Sequence, residues 1–564
     1  MTFVAPLAPI CLPCKLMRLN VEGGRLRGNA VGRVATNETE IAACGKRAPV
    51  VLGSVAPWLP LLVLEGSAVS IFWLFGALPF MDLPAHAGIA ALRLRYSQSA
   101  IEQQFYVLTH DIAGYPLFRL SVDWLAKLFG PLNAVRIFAS IPAVAMPLAL
   151  LYGRRRLYND SSVSFGFAGV ILSFGYMGQM GLAPYLIAIP LLLIALVHWL
   201  LLLDKADAKQ PTVGAETVLA VLALGLVLLH GYTFAIFAFL AIVTALTAGD
   251  VKIRLLRLRV FAPSLLFLAT SAWVTQSSRL PAGAVVQPTP FNADFHTVLD
   301  KIGLLVAPTL MTRFGVDVLV GLGVWLIAIA GVVVTRRNHA RVAPELTVAR
   351  RARALSIASL STLVAFVLLP HSVREFDFVD GRLLPVALLI AFLAIDEKAF
   401  GEAQKRWVSI AAGVGAAVIV VSELVAMQFF QAEAAGYHEV LEVIPANSRL
   451  LYLPLDPDSA IFVSHPFVHY DKLLLVEKPI VTSQLWFHHG SGVFPTAANP
   501  VLRLPQTYVS SDLKKIDWPA YRLSDWPYVL IRQSPGTIAP NVPERLLLVD
   551  HRGGWWLFRT LAQP

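Results

Sequence analysis

Eleven stretches of this chain carry few or no charges and are long enough, or nearly so, to cross a lipid bilayer: residues 50–78, 134–152, 162–177, 184–203, 214–230, 232–248, 260–276, 316–335, 354–370, 383–396 and 407–427. A hydrocarbon core about 30 Å thick takes about 20 apolar residues in helical form, because each backbone polar group must be satisfied within the segment. The pattern predicts a polytopic α-helical membrane protein with about 11 transmembrane helices. Composition excludes an ordinary soluble globule: 56% of the 564 residues are hydrophobic and 15% charged, against about 25% charged in a soluble domain.

A twelfth stretch, "PLFRLSVDWLAKLFG" (116–130), behaves differently. As a helix its fifteen residues reach only about 22 Å. Arg119, Asp123 and Lys127 recur every fourth residue, one charged stripe opposite an apolar face, so this helix is expected to lie in the membrane interface. Charge asymmetry supports leaving it out of the span count. With the N-terminus inside, "GRRRLYND", "DKADAK", "DVKIRLLRLR", "RRNHARVAPELTVARRAR" and "EKAFGEAQKR" all fall on the cytoplasmic side, as the positive-inside rule demands. Segments 79–133, 277–315 and 428–564 then lie outside, and chemistry is expected there.

The net charge of +10 is scattered in short clusters between the apolar runs, which is a topology signal rather than a nucleic-acid footprint. Cys11, Cys14 and Cys44 all precede the first run; with no second pair for a zinc site, Cys11 and Cys14 read as free thiols. Residues 1–48 carry too long a basic head for a cleavable signal and are expected to form a cytoplasmic N-terminal segment. Residues 49–427 form the transmembrane domain. In 428–564 short apolar stretches ("RLLYLPL", "KLLLV", "YVLIR", "RLLLVD", "WWLFR") alternate with turn residues, the pattern of an external, periplasmic α/β domain of strands with an occasional helix. From its short loops and the lack of a retention signal, a bacterial inner membrane is the expected location.

The order of parts is distinctive: one span, an external Asp near its end in "FMDLPAHAG", the interfacial "GYPLFRLSVDWLAKLFG", then "NAVRIFASIPAVAMPLALLYGRRRLY" leading inward, and later "FVDGRLLP" at the start of a span. This resembles the GT-C superfamily of integral membrane glycosyltransferases, in particular its protein mannosyltransferase and aminoarabinose transferase branches. The resemblance covers roughly residues 50–250 and the later spans in general plan. It implies a GT-C-like transmembrane domain, a polyprenyl-phosphate-linked sugar donor, and transfer on the external face to a glycan, lipid or protein acceptor. It also implies that an acid in the first external loop acts as general base, and Asp82 is the matching position. Many members carry a second acid between the third and fourth spans; here that turn reads "YMGQMGLAPY" (176–185), so no metal or other cofactor is expected.

The residues themselves leave alternatives. Asp82 reads as the N-cap of a following helix and, compatibly, as a base at the membrane boundary. His86, one turn later on the same face, can orient Asp82, bind donor phosphate, or be a plain interfacial histidine. His110 and Asp111 supply either a second acid and an acceptor contact or a capped polar loop. "HSVREFDFVDGR" (371–382) gathers His371, Arg374, Glu375, Asp377, Asp380 and Arg382. Arg374 and Arg382 are the expected donor-phosphate contacts, since a guanidinium fork can hold two phosphate oxygens. His371 and the three carboxylates either balance these charges or contact sugar hydroxyls. Arg279, Asp294, His296 and Lys301 stand in a Pro- and Gly-rich segment that reads as a loop over the site or as a passive connection. Glu65 is expected to make a helix-packing hydrogen bond, and Glu423 to reach water. His488 and His489 read as a surface loop. The rival readings are a secondary transporter, against which no repeated half-chain is found, and a non-catalytic cell-envelope assembly protein.

Overall fold

The computed structural model describes residues 56–561, apart from 110–113, 161, 248, 278–282, 286–290, 342–345, 375, 488–489, 506–507, 509–512, 514 and 538–539. A helix stands on each of the eleven apolar runs: Leu59–Leu74, Pro131–Tyr158, Ser164–Ser173, Ala183–Asp207, Val213–Leu229, Gly231–Ala245, Ala262–Ser277, Val316–Arg341, Leu346–Leu368, Leu383–Ala394 and Glu402–Glu433. Among the described residues six are long and apolar enough to cross a membrane by themselves, counting Val251–Thr275 as one. The other five are shorter, for local reasons. Ser164–Ser173 stops before Gly175, whose φ of +114° an L side chain rarely adopts. His230 divides two helices by accepting the Thr233 N–H on its ring nitrogen, as the N-cap of Gly231–Ala245. Leu383–Ala394 is buried at all twelve positions, the mark of a helix wrapped on every side by others.

The chain's two kinds of loop gather at opposite ends of these helices. At one end Arg154 binds Asp160 and the carbonyls of Phe392 and Ile395, Arg351 binds Asp204, and Arg254 binds Asp207. These are the basic connections. At the other end the first loop, the paired segments Ala293–Asp294 and Ser372–Val373, and the tail converge.

The first loop holds the helices Leu83–Arg95, Ala100–Phe105 and Pro116–Phe129. The last is amphipathic, with Arg119 and Asp123 of its charged stripe turned inward and Lys127 exposed. Arg119 is buried and Arg93 Nε donates to Asp123 at 3.2 Å, whereas Leu117, Leu120, Trp124 and Leu128 are exposed. An apolar face turned outward and a charged face turned toward protein suit a helix lying in the membrane interface.

In the tail five strands form one mixed sheet in the order Ile480–Thr482, Ser448–Pro454, Tyr528–Arg532, Trp555–Thr560, Leu546–Arg552. The first three run parallel and the last two pairings are antiparallel. Period-2 alternation splits the buried residues. Leu451, Leu453, Val529 and Ile531 pack on Trp526 and Leu523 in a core of the tail's own, while Leu450, Tyr452 and Leu530 join the core of the helical part. "KLLLV" forms a helix, Lys472–Glu477, rather than a strand. It lies across Leu83–Arg95 where Gly88 lacks a side chain: a Cβ there would stand 2.8 Å from the Lys472 carbonyl oxygen. A two-stranded pairing of Tyr106–Leu108 with Val493–Pro495 ties the tail to the first loop a second time.

Candidate functional site

Asp82 is where these parts meet. It precedes the helix Leu83–Arg95, yet its carboxylate makes no capping hydrogen bond, so the side chain is not spent on holding the helix. Its backbone is fixed from the "YMGQMGLAPY" turn: the N–H of Met81 donates to Gln179 O at 3.0 Å and that of Asp82 to Met180 O at 3.2 Å. Gly181, with φ of +77°, lets this turn approach, since a Cβ there would lie 2.7 Å from the Asp82 nitrogen. The turn that lacks an acid thus serves as the seat of Asp82. Gln179 is held in turn by Glu423, to which its amide donates at 2.9 Å. Glu423 is fully buried and does not reach water. Glu65 is also buried, and the expected helix-packing hydrogen bond is not made: its Oε1 has no partner among the described residues.

Three groups act on the Asp82 carboxylate. Burial raises its pKa from the ordinary carboxylate value to about 8, an effect that Arg382 opposes and Asp377 adds to. His469, from the turn just before the Lys472–Glu477 helix, brings its Nε2 to 3.7 Å. That is too long for a hydrogen bond, and burial holds this imidazole well below its usual pKa, so the contact joins a proton carrier to a neutral ring and is not an ion pair. Arg382 is 8% exposed. Its guanidinium lies 5.8 Å from the ring centre of Tyr185 and 5.9 Å from that of Tyr232, and its Nε has no hydrogen-bond partner among the described residues. Both phenols clamp the loop, donating to the carbonyls of Arg382 and Val379 respectively.

Two residues before Arg382, Asp380 is completely buried in a separate clasp. Lys301 Nζ donates to its Oδ2 at 2.7 Å and to the carbonyls of Phe366 and Leu369 at 2.7 and 2.8 Å. His296 and His371 each donate an Nδ1–H to Asp380, at 3.2 and 3.1 Å, with their rings 3.7 Å apart. Burial alone would raise the Asp380 pKa; the hydrogen bonds from His371, Lys301 and the Gly381 N–H instead hold it far below the usual carboxylate range. The ligand atoms of His296, His371 and Asp380 lie within 4.8 Å of one another. A divalent ion there would have to share a carboxylate with the Lys301 ammonium, so the set does not fit a metal, and it reads as a clasp that fixes the loop carrying Arg382. Asp380→Ala strands the Lys301 ammonium in a buried site; we expect a loss of about 3–5 kcal/mol, read as a lower Tm in detergent. An unchanged Tm would mean the clasp holds nothing.

The remaining expected residues are placed as follows. Arg374 is exposed on a turn, its guanidinium 5.5 Å from the Phe291 ring centre, and does not join Tyr185 and Tyr232 around Arg382. Asp294 is exposed and accepts from the Ser372 hydroxyl at 3.2 Å. Asp377 is exposed but close enough to be felt by Asp82. The ring of His86 packs edge-on against Phe118 and Trp486, at 5.1 and 5.0 Å. His110, Asp111, Arg279, Glu375, His488 and His489 lie outside the described residues. Sequence reasoning missed His469, Tyr185 and Tyr232. "APYL" and "HGYTF" do place tyrosines near the outer ends of apolar runs, which is the one signal that pointed to them.

No protein-family model matches the chain, and no curated protein matches it in sequence. Its fold, however, is found among solved structures. ArnT from Cupriavidus metallidurans, solved bound to undecaprenyl phosphate, aligns over 90% of this chain and 98% of its own with a TM-score of 0.51 and 12% identity. The archaeal oligosaccharyltransferase AglB from Archaeoglobus fulgidus, in complex with an inhibitory peptide and a dolichol-phosphate, aligns over 85% of this chain and 70% of its own with a TM-score of 0.44 and 11% identity. In three dimensions the chain has the fold of ArnT, in keeping with the resemblance that the sequence motifs carry.

Proposed function

We propose that the protein is a membrane glycosyltransferase that moves a sugar from a polyprenyl-phosphate-linked donor to an acceptor on the external face of the membrane. The observation that carries this reading is the pairing of Asp82 with Arg382. A buried carboxylate that makes no capping hydrogen bond lies within the field of a buried guanidinium whose Nε has no hydrogen-bond partner among the described residues. One suits a general base and the other the phosphate of a leaving group. In the step we assign, Asp82 takes the proton of an acceptor O–H or N–H as that atom bonds to the anomeric carbon. The bond from that carbon to the phosphate oxygen breaks, its electron pair leaves on the phosphate, and Arg382 balances the charge. Such a leaving group is already stable as an anion, so the step is assigned no metal. The fold shared with ArnT, solved with undecaprenyl phosphate, supports the donor class. The eleven helices then make the membrane domain, with the short buried ones completed by their neighbours, and the tail covers the site from the periplasm.

The test is the lipid that the purified protein retains. Native mass spectrometry is expected to show a polyprenyl phosphate on the wild-type chain and less on Arg382→Gln. Ordinary phospholipid alone on both proteins would remove the donor class. Uptake of free sugar into proteoliposomes without transfer would identify a carrier instead.

A further inference from the structure

A helix that stands in water buries its apolar side chains and shows its charged ones. The short helix Val298–Leu304 does the reverse. Its lysine, Lys301, is buried, while Val298, Leu299 and Ile302 are exposed, the first two at 78% and 77%. Phe291 and Phe295, which flank the strand Ala293–Asp294, are exposed as well. The one acid of the helix is spent on its cap: the Thr297 side chain accepts from the Asp300 N–H, and the Asp300 carboxylate accepts from the Thr297 N–H at 3.1 Å.

Two spans fix the level of this apolar face. Lys301 Nζ donates to the carbonyls of Phe366 and Leu369, so the helix lies against the last turn of Leu346–Leu368. In that turn Val367 and Leu368 are themselves exposed, as side chains facing lipid are. From the other span, Trp325 Nε1 donates to the Leu305 carbonyl at 2.6 Å, and a side chain at Gly321 would run into the Thr309 hydroxyl. Trp325 stands about 13 Å along the axis from the start of Val316–Arg341. The segment therefore sits below the end of that span rather than above it.

We propose that the face made by Phe291, Phe295, Val298, Leu299 and Ile302 is a lipid-binding surface, covered by phospholipid acyl chains of the leaflet at the end of the helices where Asp82 stands. An uncovered apolar patch of this kind marks an interaction site, and its level between two spans says what lies against it. An apolar side turned outward and a charged side turned toward protein is also the arrangement of Pro116–Phe129, and it suits the acyl boundary. The helix then carries the Asp380 clasp on its inner side and lipid on its outer side. The segment is a membrane-anchored wall beside the Arg382 loop, not a loop standing in water. This goes beyond the transfer reaction and does not depend on Asp82 being the base.

The test uses full-length protein carrying Cys11→Ser, Cys14→Ser and Cys44→Ser, in nanodiscs of phosphatidylethanolamine and phosphatidylglycerol. Leu299→Cys and Ile302→Cys are spin-labelled in turn. Val364→Cys, exposed on a span, is the lipid reference, and Thr537→Cys, on an exposed turn of the tail, is the aqueous one. Oxygen concentrates in hydrocarbon and a neutral nickel chelate in water, so power-saturation EPR reads which solvent each label meets. Labels at Leu299→Cys and Ile302→Cys are expected to collide severalfold more with oxygen than with nickel, as at Val364→Cys, with the ratio inverted at Thr537→Cys. Collisions dominated by nickel put the face in water and overturn the proposal. Collisions with neither reagent mean that protein, such as a second copy of the chain, covers the face, and overturn it equally. A second measurement needs no substitution: wild-type protein is irradiated in nanodiscs whose phospholipid bears a diazirine on its acyl chain. Lipid adducts are expected within residues 291–304; adducts on the spans with none in this segment also sink the proposal.

Discussion

Asp82→Asn is expected to slow sugar transfer by about 10²–10⁴-fold, the contribution of a positioned general base, while the fold and the donor affinity stay as they are. The change is nearly isosteric, and the carboxylate makes no capping bond that could be lost. The backbone bonds that seat the residue, to Gln179 and Met180, do not involve its side chain, and Arg382 remains to hold phosphate. The effect therefore falls on kcat rather than on the KM for donor. The wild-type pH profile supplies an independent check. Burial raises the Asp82 pKa to about 8, and a base works only when deprotonated, so kcat/KM is expected to rise about tenfold per pH unit until roughly pH 8 and then level off. Steady-state transfer from a purified lipid-linked sugar measures both. A profile flat from pH 6 to 9, or a variant with near-normal turnover, takes the role of base away from Asp82.

Asp82 and Arg382 were legible because each interrupts a rule: a charged residue at the edge of an apolar run needs a reason to be there. Their meeting was not, since 300 positions of chain separate them and only tertiary packing brings them together. His469 was invisible for a related reason. In "PFVHY" it looks like any histidine of a small α/β domain, and its role follows from the docking of one short helix on Gly88. The same blind spot explains Glu423. At the outer end of a span it reads as a residue reaching for water, but the neighbouring turn covers it and supplies Gln179 as a partner. The eleven apolar runs and the interfacial helix were readable because period and length alone specify them. Arg374 and Arg382, eight residues apart in one charged segment, looked equivalent; the Asp380 clasp and the two tyrosine clamps fix the loop of the one whose charge Asp82 feels, while the other stands on an exposed turn.

Arg382→Gln is expected to lower transfer by about 10²–10³-fold, the scale for removing one electrostatic contact to a group that gains charge in the transition state, and to raise the KM for donor. Two further readouts separate this role from a structural one. A buried cation costs several kcal/mol unless a partner repays it, and here the repayment is incomplete: Nε is unpartnered among the described residues, and burial pulls the guanidinium's pKa down while Tyr185, Tyr232, Asp82 and Asp377 act only to raise it. Replacing it by a neutral side chain should leave Tm unchanged or raise it. If Arg382 were instead a structural ion-pair member, Tm would fall together with activity. The second readout is the pH profile. Arg382 lowers the Asp82 pKa, so removing the cation favours the protonated acid, and the limb near pH 8 must move to higher pH. A limb that stays put or moves to lower pH would show that the two residues do not share a field. Arg382→Lys keeps the charge but loses the planar fork: the limb is expected to stay close to its wild-type position while transfer falls. Field and phosphate geometry are thereby separated at a single position.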